Sequence, residues 1–177
     1  MSNEGDRFRK MVEQSPDWFW EFDENACFTY VSPQIRNLLG YDPSELVGLN
    51  AFDLMNPDEA ARVREHFDPV VKKNLPFNNL ININRHKDGR EVVIESSGTP
   101  VFDEEGQLRG YRGVDRDITL RMKVADELRD SKEKLQNIFD TSSEWIWEVD
   151  LSGRHTYSNH SLLNLLGYKP DEMVGRV

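Results

Sequence analysis

The sequence predicts an α+β domain built on a five-stranded antiparallel sheet, with helices inserted after the second strand. Three observations support this fold class: aromatic residues alternate near the start, helical spacing follows, and three long strand-like runs close the unit. A helical pattern then leads to a second copy of the opening motif. We therefore expect a complete domain over residues 1–119, a connector helix over 120–139 and the first part of a second domain over 140–177.

The first two strands are predicted to form a hairpin. Trp18, Trp20 and Phe22 occupy alternate positions, which places their rings on one face of a strand. After a turn at residues 23–25, the run from Cys27 to Val31 predicts the returning strand, with Phe28 and Tyr30 on one face. A short amphipathic helix over residues 6–15 is predicted before the hairpin from three apolar residues, Phe8, Met11 and Val12.

The helices come next. Ile35, Leu38 and Leu39 share one helical face, and Gly40 is placed to end that helix. Pro43 and Pro57 stand at plausible first helical positions. The longer helix, over residues 57–73, has an inward face of Ala60, Val63, Phe67 and Val70. Pro69 removes a backbone donor and is predicted to kink or break this helix near Glu65.

Three strands complete the sheet, at Phe77–His86, Glu91–Phe102 and Leu108–Ile118. Asp88-Gly89 between the first two is typical of a two-residue primed turn. The sheet is predicted to be antiparallel apart from the pairing that the helical crossover makes possible.

The duplication is the strongest regularity in the chain. Residues 8–50 and 135–177 align without a gap at a constant offset, with sixteen identities, so chance does not explain the match. We expect modules in series, with the chain ending inside the second. Because an isolated hairpin is marginally stable, Trp145, Trp147 and Leu162 to Leu166 are predicted to expose apolar surface and to be disordered, poorly packed or paired with another chain.

Composition excludes several function classes. The formal net charge of -10 argues against binding to nucleic acid or anionic lipid, and no apolar run is long enough to span a bilayer. We therefore expect a cytoplasmic location. The single cysteine, Cys27, excludes an internal disulfide and zinc sites that need several thiolates.

Several motifs carry a family resemblance. They are N-L-L-G-Y-D-P-S-E-L-V-G at Asn37–Gly48, F-D-L-M-N-P-D-E at Phe52–Glu59, H-K-D-G-R at His86–Arg90 and G-Y-R-G-V-D-R-D-I-T at Gly110–Thr119. In these motifs and their spacing, residues 8–119 resemble a complete PAS domain with its PAC segment, and residues 135–177 resemble the front of another. The resemblance implies a sensory or dimerising module upstream of a bacterial histidine kinase, diguanylate cyclase or similar output domain.

The connector offers a route for signal relay. Its apolar positions alternate in spacings of four and three, which is typical of a short coiled-coil seam and would allow a homodimer; they are Val124, Leu128, Leu135 and Ile138, with a polar break at Ser131. The resemblance implies that Asp117, Ile118 and Thr119 join the last strand to this helix. Thr119 is suited to cap the helix. A solvated linker helix after a plain strand end remains the alternative.

A cavity between sheet and helices is the predicted sensing site. Face parity and helical spacing select its candidate walls, Trp20, Phe28, Tyr30, Val63, Phe67, Ile81, Ile83 and Val93. Asn79 shares a face with Ile81 and could address a polar ligand, whereas Asn78, Asn82 and Asn84 are expected to face solvent or an edge. The alternative for each apolar residue is a filled core.

The cofactor of this cavity is left open. Haem-binding relatives place an axial histidine on the long helix, but ungapped alignment puts that position nearer Val63 than His66. Flavin photosensors of the LOV subgroup need a cysteine in the stretch that corresponds to Asn50–Asn56, which has none; Cys27 is predicted to be a small buried hydrophobe on a strand. No histidine pair or acidic loop has metal-binding spacing.

The predicted function is therefore regulatory. No phosphate-binding glycine loop, nucleophile elbow or metalloprotease motif occurs in the sequence, so catalysis is expected to lie outside the chain. Two classes remain: a ligand-binding sensor that signals through the connector helix, and a ligandless module for protein interaction and dimerisation.

Overall fold

A computed structural model of the chain describes residues 15–177. Contacts divide the chain into two units, one ending at Met122 and the other running from Lys123 to Val177. The predicted helix over residues 6–15 falls outside the described residues except for its last position.

The first unit is a five-stranded sheet covered on one face by helices. Its strands are β1 (Trp18–Phe22), β2 (Phe28–Val31), β3 (Phe77–Arg85), β4 (Glu91–Phe102) and β5 (Leu108–Asp117). They lie in the order β2-β1-β5-β4-β3, and every neighbouring pair is antiparallel. The α+β prediction is confirmed. The expected exception to antiparallel pairing was wrong, because the crossover carries the chain to the far edge of the sheet, where β3 pairs only with β4.

The covering helices lie between β2 and β3. They are α1 (Ile35–Leu38), α2 (Pro43–Leu46), a 3-10 helix (Ala51–Leu54) and α3 (Pro57–Lys72). The buried residues of α1, Ile35 and Leu38, are those that helical spacing predicted. Pro69 lies within α3 and does not break it, contrary to prediction. Its exposed position in the last turn leaves the inward residues Val63 and Phe67 in place.

The turn at Asp88-Gly89 also differs from prediction. The backbone N–H of His86 donates to the carbonyl oxygen of Arg90, and Gly89 N–H donates to the carbonyl oxygen of His86. Gly89 alone takes a positive φ, of 93°. The loop therefore has three residues and the bulged form of a hairpin turn, because a two-residue primed turn with Asp88 and Gly89 at its centre would place both in the left-handed region.

A buried acid attaches α3 to the outermost strand. Glu59 accepts hydrogen bonds from Arg62 Nε at 2.7 Å and from the backbone N–H of Ile83 at 2.8 Å. Arg62 in turn donates to the carbonyl oxygen of Ile81 at 2.8 Å. The hydrogen bond from Arg62 lowers the pKa of Glu59, so this attachment weakens as pH falls through that pKa.

Replacing Glu59 by alanine is expected to lower the free energy of unfolding by about 2 kcal/mol, because a buried N–H and a guanidinium lose their acceptor. Urea unfolding followed by tryptophan fluorescence would measure this loss. Glu65→Ala is the matched control, since Glu65 lies on the exposed side of the same helix. Equal stability of the two variants would contradict the assigned role of Glu59.

The long helix α4 (Thr119–Thr141) leads from the first unit into the second. The second unit continues with β6 (Trp147–Val149), β7 (His155–Ser158), α5 (Ser161–Leu166) and α6 (Pro170–Met173). Asn159, only 1% exposed, donates to the carbonyl oxygens of Phe139 and Glu144. These elements repeat β1 to α2 of the first unit in order.

The predicted exposure of apolar residues in the second unit is confirmed in part. Trp147, Leu165 and Leu166 are each at least half exposed, but Trp145 is half-buried and Leu162 is fully buried. Leu162 lies in the first turn of helix α5, close in sequence to Asn159 and Ser161, which are also buried. None of the helices over residues 15–177 is both long and apolar enough to cross a membrane.

Candidate functional site

The first unit contains a small cavity between the sheet and the helices. The cavity has a volume of about 60 Å³. Its walls are mainly aromatic and aliphatic: Trp18, Trp20, Phe22, Ala26, Phe28, Ala51, Phe52, Leu54, Met55, Phe67, Phe77 and Leu80. Four polar residues also line it: Asn82, Asn84, Ser96 and Asp115. The volume exceeds the space that one water molecule needs and is well below the roughly 300–1,000 Å³ of pockets for drug-sized ligands.

Trp20 is placed by two glycines on neighbouring strands. Gly113 of β5 pairs with Trp20 on one side and with Gly98 of β4 on the other. A Cβ atom at Gly113 would lie 2.4 Å from the indole of Trp20, and one at Gly98 would lie 3.0 Å from it. The absence of side chains at both positions lets the indole lie close over β5 and β4. Phe22 stacks on it with ring centroids 4.6 Å apart.

The polar lining residues form a directed chain of hydrogen bonds. Asn84 donates its amide to the side-chain oxygen of Asn82, and Asn82 Nδ2 donates to Ser96 Oγ at 2.8 Å. Ser96 and Trp20 both hydrogen-bond the carboxylate of Asp115, with 2.7 Å between Trp20 Nε1 and Asp115 Oδ1. The chain crosses from β3 to β5 and ends at Asp115.

Asp115 is the one titratable group among the described residues of the cavity wall. Burial raises its pKa from 3.8 to about 7, and the hydrogen bonds from Trp20 and Ser96 oppose the rise only in part. Within the described part of the chain no Lys, Arg or His pairs with it; the ion pairs formed there join other carboxylates, and no group of three or more metal-ligating residues occurs. The carboxyl group therefore changes charge near neutral pH inside an apolar core.

Trp18, which also lines the cavity, carries an unpaired donor. The residue is 1% exposed, and its indole N–H has no hydrogen-bond partner within residues 15–177. A buried donor without an acceptor costs about 1–3 kcal/mol. An acceptor within the cavity, from water or a ligand, would remove that cost.

Three of the predicted cavity residues line the cavity, namely Trp20, Phe28 and Phe67. Val63 is buried in the surrounding core but does not reach the cavity wall. Tyr30 was wrongly placed and is 45% exposed. A β-bulge explains the error: Glu21 pairs with Tyr30 but Phe22 with Phe28, so the extra residue directs Phe28 inward and Tyr30 outward.

A second bulge reverses the prediction for β3. Phe77 pairs with Gly98 and Leu80 with Ser96, so β3 holds one residue more than β4 between these pairs, and Asn79 takes a φ of 54°. The strand therefore turns Asn82 and Asn84 inward, contrary to prediction. The outward residues are those that had been expected inside: Asn79 and Ile81, both exposed, and Ile83 with its cross-strand partner Val93, both half-buried.

Asp115 and Ser96 were missed, although period-two parity could have found them. Tyr111, Gly113 and Asp115 alternate along β5, and Tyr111 is buried. Ser96 follows Val92 and Ile94 at the same spacing in β4, and both of these are fully buried. A polar residue that continues a buried face is a signal for a polar cavity wall.

The residues weighed for cofactors lie away from the cavity. His66 is on the exposed side of α3, where its Nδ1 lies 3.1 Å from the carbonyl oxygen of Arg62. Cys27 is half-buried just before β2 and pairs with Asn50 as an isolated bridge, so its predicted place as a buried strand residue was wrong. It flanks the turn that precedes β2, where the backbone is only partly covered.

The joint between sheet and connector is held by hydrogen bonds to one residue of β4. The backbone N–H of Ile118 donates to the carbonyl oxygen of Val93, and the hydroxyl of Thr119 accepts from Val93 N–H at 2.9 Å. Thr119 was expected to cap the helix, but its hydroxyl bonds the neighbouring strand. Asp117 instead accepts from Thr119 N–H at 2.8 Å.

Sequence comparisons agree with this architecture. A family model described as PAS fold matches residues 28–115, and another described as PAS domain matches residues 133–177. The aerobic respiration control sensor protein ArcB of Escherichia coli is 30% identical over 139 residues, which cover 77% of this chain and 18% of that protein. The nitrogen fixation regulatory protein of Klebsiella pneumoniae is 23% identical over 152 residues, which cover 86% of this chain and 30% of that protein. The chain thus spans less than a third of either relative.

Structural comparison gives the same fold. The crystal structure of a PAS domain from Colwellia psychrerythraea superposes with a TM-score of 0.60 at 22% identity, covering 66% of this chain and 98% of that one. The two family matches fall on the two copies of the duplication, the first from residue 28 onward and the second over residues 133–177. The chain therefore belongs to the PAS domain family, whose members are sensory modules of signal-transduction proteins.

Proposed function

We propose that the first unit binds a small molecule in its cavity and acts as the input domain of a signal-transduction protein. One observation carries the proposal: a chain of buried hydrogen bonds ends at Asp115 on the wall of a cavity inside an apolar core. Buried polar groups are costly, and a core that served stability alone would favour apolar side chains at these positions. The indole N–H of Trp18 is a further buried polar group, without a hydrogen-bond partner among the described residues.

The proposed output path runs from the cavity along β5 into α4. Asp115 lies on β5 only two residues before Asp117, and Thr119 begins the helix. A ligand that changes the packing of Asp115 would shift the end of β5 against Val93, to which Ile118 and Thr119 are bonded. The helix would then pass this change to an output domain such as a histidine kinase or a diguanylate cyclase.

Ligand binding is tested on protein purified from its native host. Denaturation should release a small molecule in a fixed ratio to protein, detectable by mass spectrometry. Adding that molecule back should change the fluorescence of Trp18 and Trp20, because both indoles line the cavity. The proposal would be refuted by two results together: the purified protein releases no small molecule, and the Ala51→Leu variant, in which the cavity is filled, still signals with a full response.

The relay is tested by inserting one residue after Ser131 in the protein that carries this chain. The insertion rotates the following part of the helix by about 100°, so we expect output to lose its dependence on the signal while the first unit stays folded. An insertion after Glu104, in the exposed turn between β4 and β5, is the matched control. Unchanged regulation after the Ser131 insertion would contradict helical relay.

A second candidate function is dimerisation without a ligand. The seam residues of α4 are more than half exposed in the described chain: Val124, Leu128, Leu135 and Ile138. A partner helix would cover them, as in a coiled coil. Sedimentation should then show a dimer that Leu128→Glu dissociates. A dimer that is unaffected by this substitution would argue against pairing through α4.

A further inference from the structure

The electrostatic character of the cavity selects a class of ligand. Among the described residues of its walls, Asp115 is the only ionisable one, and none of these side chains carries a positive charge. The elements packed against Asp115 contribute neutral groups: Trp18 and Trp20 from β1, Ser96 from β4 and the two asparagines of β3. The covering helix α3 carries an ion pair between Glu59 and Arg62, which is internally neutral. Of the residues that the structure describes, a ligand in the cavity would therefore meet one ionisable group, the carboxyl group of Asp115.

Buried carboxylates in proteins are normally paired with a cation or held neutral. Asp115 has two hydrogen-bond donors, Trp20 and Ser96, but no cationic partner among the described residues. Two donors leave some of the roughly four acceptor positions of a carboxylate open. A ligand that carries a positive charge would supply the missing partner.

The walls around the carboxylate offer an apolar surface for the carbon atoms of such a ligand. Trp20, Phe22 and Phe77 line the cavity and stack on one another, with ring centroids 4.6 Å apart for Trp20 and Phe22 and 6.3 Å apart for Trp20 and Phe77. Because these apolar walls lower the local dielectric constant, a carboxylate attracts a cation more strongly here than it would in water.

We propose that the cavity binds a small organic cation, with its ammonium group ion-paired to Asp115 and its carbon atoms against the rings of Trp20, Phe22 and Phe77. This inference rests on the proposed ligand-binding function and names its ligand class. The volume limits the size: an engineered protein cavity of about 150 Å³ holds benzene, so about 60 Å³ suits an amine with only a few carbon atoms.

Binding of such a cation depends on the ionisation of Asp115. Burial raises the pKa of this carboxyl group to about 7, so a proton competes with the ligand in mildly acidic solution. The affinity for an amine is therefore expected to rise about tenfold per pH unit as pH increases from about 5 to 7, and to level off above that range.

The experiment is a titration of the full 177-residue chain with methylammonium chloride, followed by tryptophan fluorescence and thermal unfolding. Potassium chloride at equal ionic strength controls for salt, and methanol is the neutral probe of similar size. We expect methylammonium alone to raise the unfolding temperature and change the fluorescence. Asp115→Asn should weaken this binding by about 10- to 100-fold, the factor expected for loss of a charge-assisted contact. Glu104→Gln removes a surface carboxylate and should bind as the original chain does.

The outcomes separate this inference from the broader function. Equal responses to methylammonium and methanol, or unchanged binding by Asp115→Asn, would overturn the cation proposal. A neutral or anionic molecule released from native protein would also overturn the cation proposal but would leave ligand sensing intact. Both proposals would be refuted if native protein releases no molecule and signalling is unchanged when Ala51→Leu fills the cavity. Should Asp115→Asn fail to fold, the pH profile of the original chain decides: an affinity for methylammonium that is flat between pH 5 and 8 contradicts a role for Asp115.

Discussion

Replacing Asp115 by asparagine is expected to stabilise the ligand-free chain at pH 8 and to remove much of the pH dependence of its unfolding. The folded state raises the pKa of Asp115 from 3.8 to about 7, so the folded chain holds its proton more tightly than the unfolded chain does. The stability that this carboxyl group contributes is therefore complete below pH 3.8 and is lost as pH rises through about 7. Asparagine is neutral throughout and can still accept the hydrogen bond from Trp20.

The size of the effect follows from the shift in pKa. One pKa unit corresponds to about 1.4 kcal/mol, so the penalty for ionising Asp115 approaches about 4 kcal/mol at high pH, of which about 2–3 kcal/mol develops between pH 5 and pH 8. Urea unfolding of Asp115→Asn and the original chain at several pH values would measure it, with Glu104→Gln as the surface control. Parallel stability profiles for Asp115→Asn and the original chain would show that Asp115 does not titrate in this range.

Replacing Gly113 by alanine is expected to destabilise the first unit by about 3 kcal/mol and to displace Trp20. The new methyl group would lie 2.3 Å from the carbonyl oxygen of Ser97 and 2.4 Å from the indole of Trp20, far inside van der Waals contact. The oxygen belongs to the sheet backbone and cannot yield without cost. A displaced Trp20 would also release its hydrogen bond to Asp115, so near-ultraviolet circular dichroism should change together with the unfolding midpoint.

Gly98→Ala is the matched comparison for this effect. Its Cβ would meet the ring of Phe77 at 2.7 Å and that of Trp20 at 3.0 Å, and it would meet no backbone atom among its nearest neighbours. Because side chains can rotate away, we expect a smaller loss of about 1–2 kcal/mol. A Gly113→Ala variant as stable as Gly98→Ala would contradict the close packing of Trp20 on β5.

The limits of sequence-based reasoning are clearest in β3. Its run of alternating isoleucines and asparagines predicts two faces, and that alternation is correct for residues 81–84. The face that points to the core was nevertheless reversed, because the bulge near Asn79 adds one residue before the alternation begins. A bulge of this kind depends on pairing with β4, and no local pattern in β3 announces it. The same reason explains the misplacement of Tyr30 in β2.

The amino-acid sequence by itself determined the family, the α+β fold, the duplication and most of the helices and strands, because these depend on local periodicity and on motifs with fixed spacing. Tertiary structure alone decided which residues meet at the cavity. Trp20, Ser96, Asn82 and Asp115 come from four different strands, and their hydrogen bonds exist only once the order β2-β1-β5-β4-β3 and the bulges set the register. Burial of the carboxyl group among these strands, a property of the assembled core, is also what brings its pKa near neutrality.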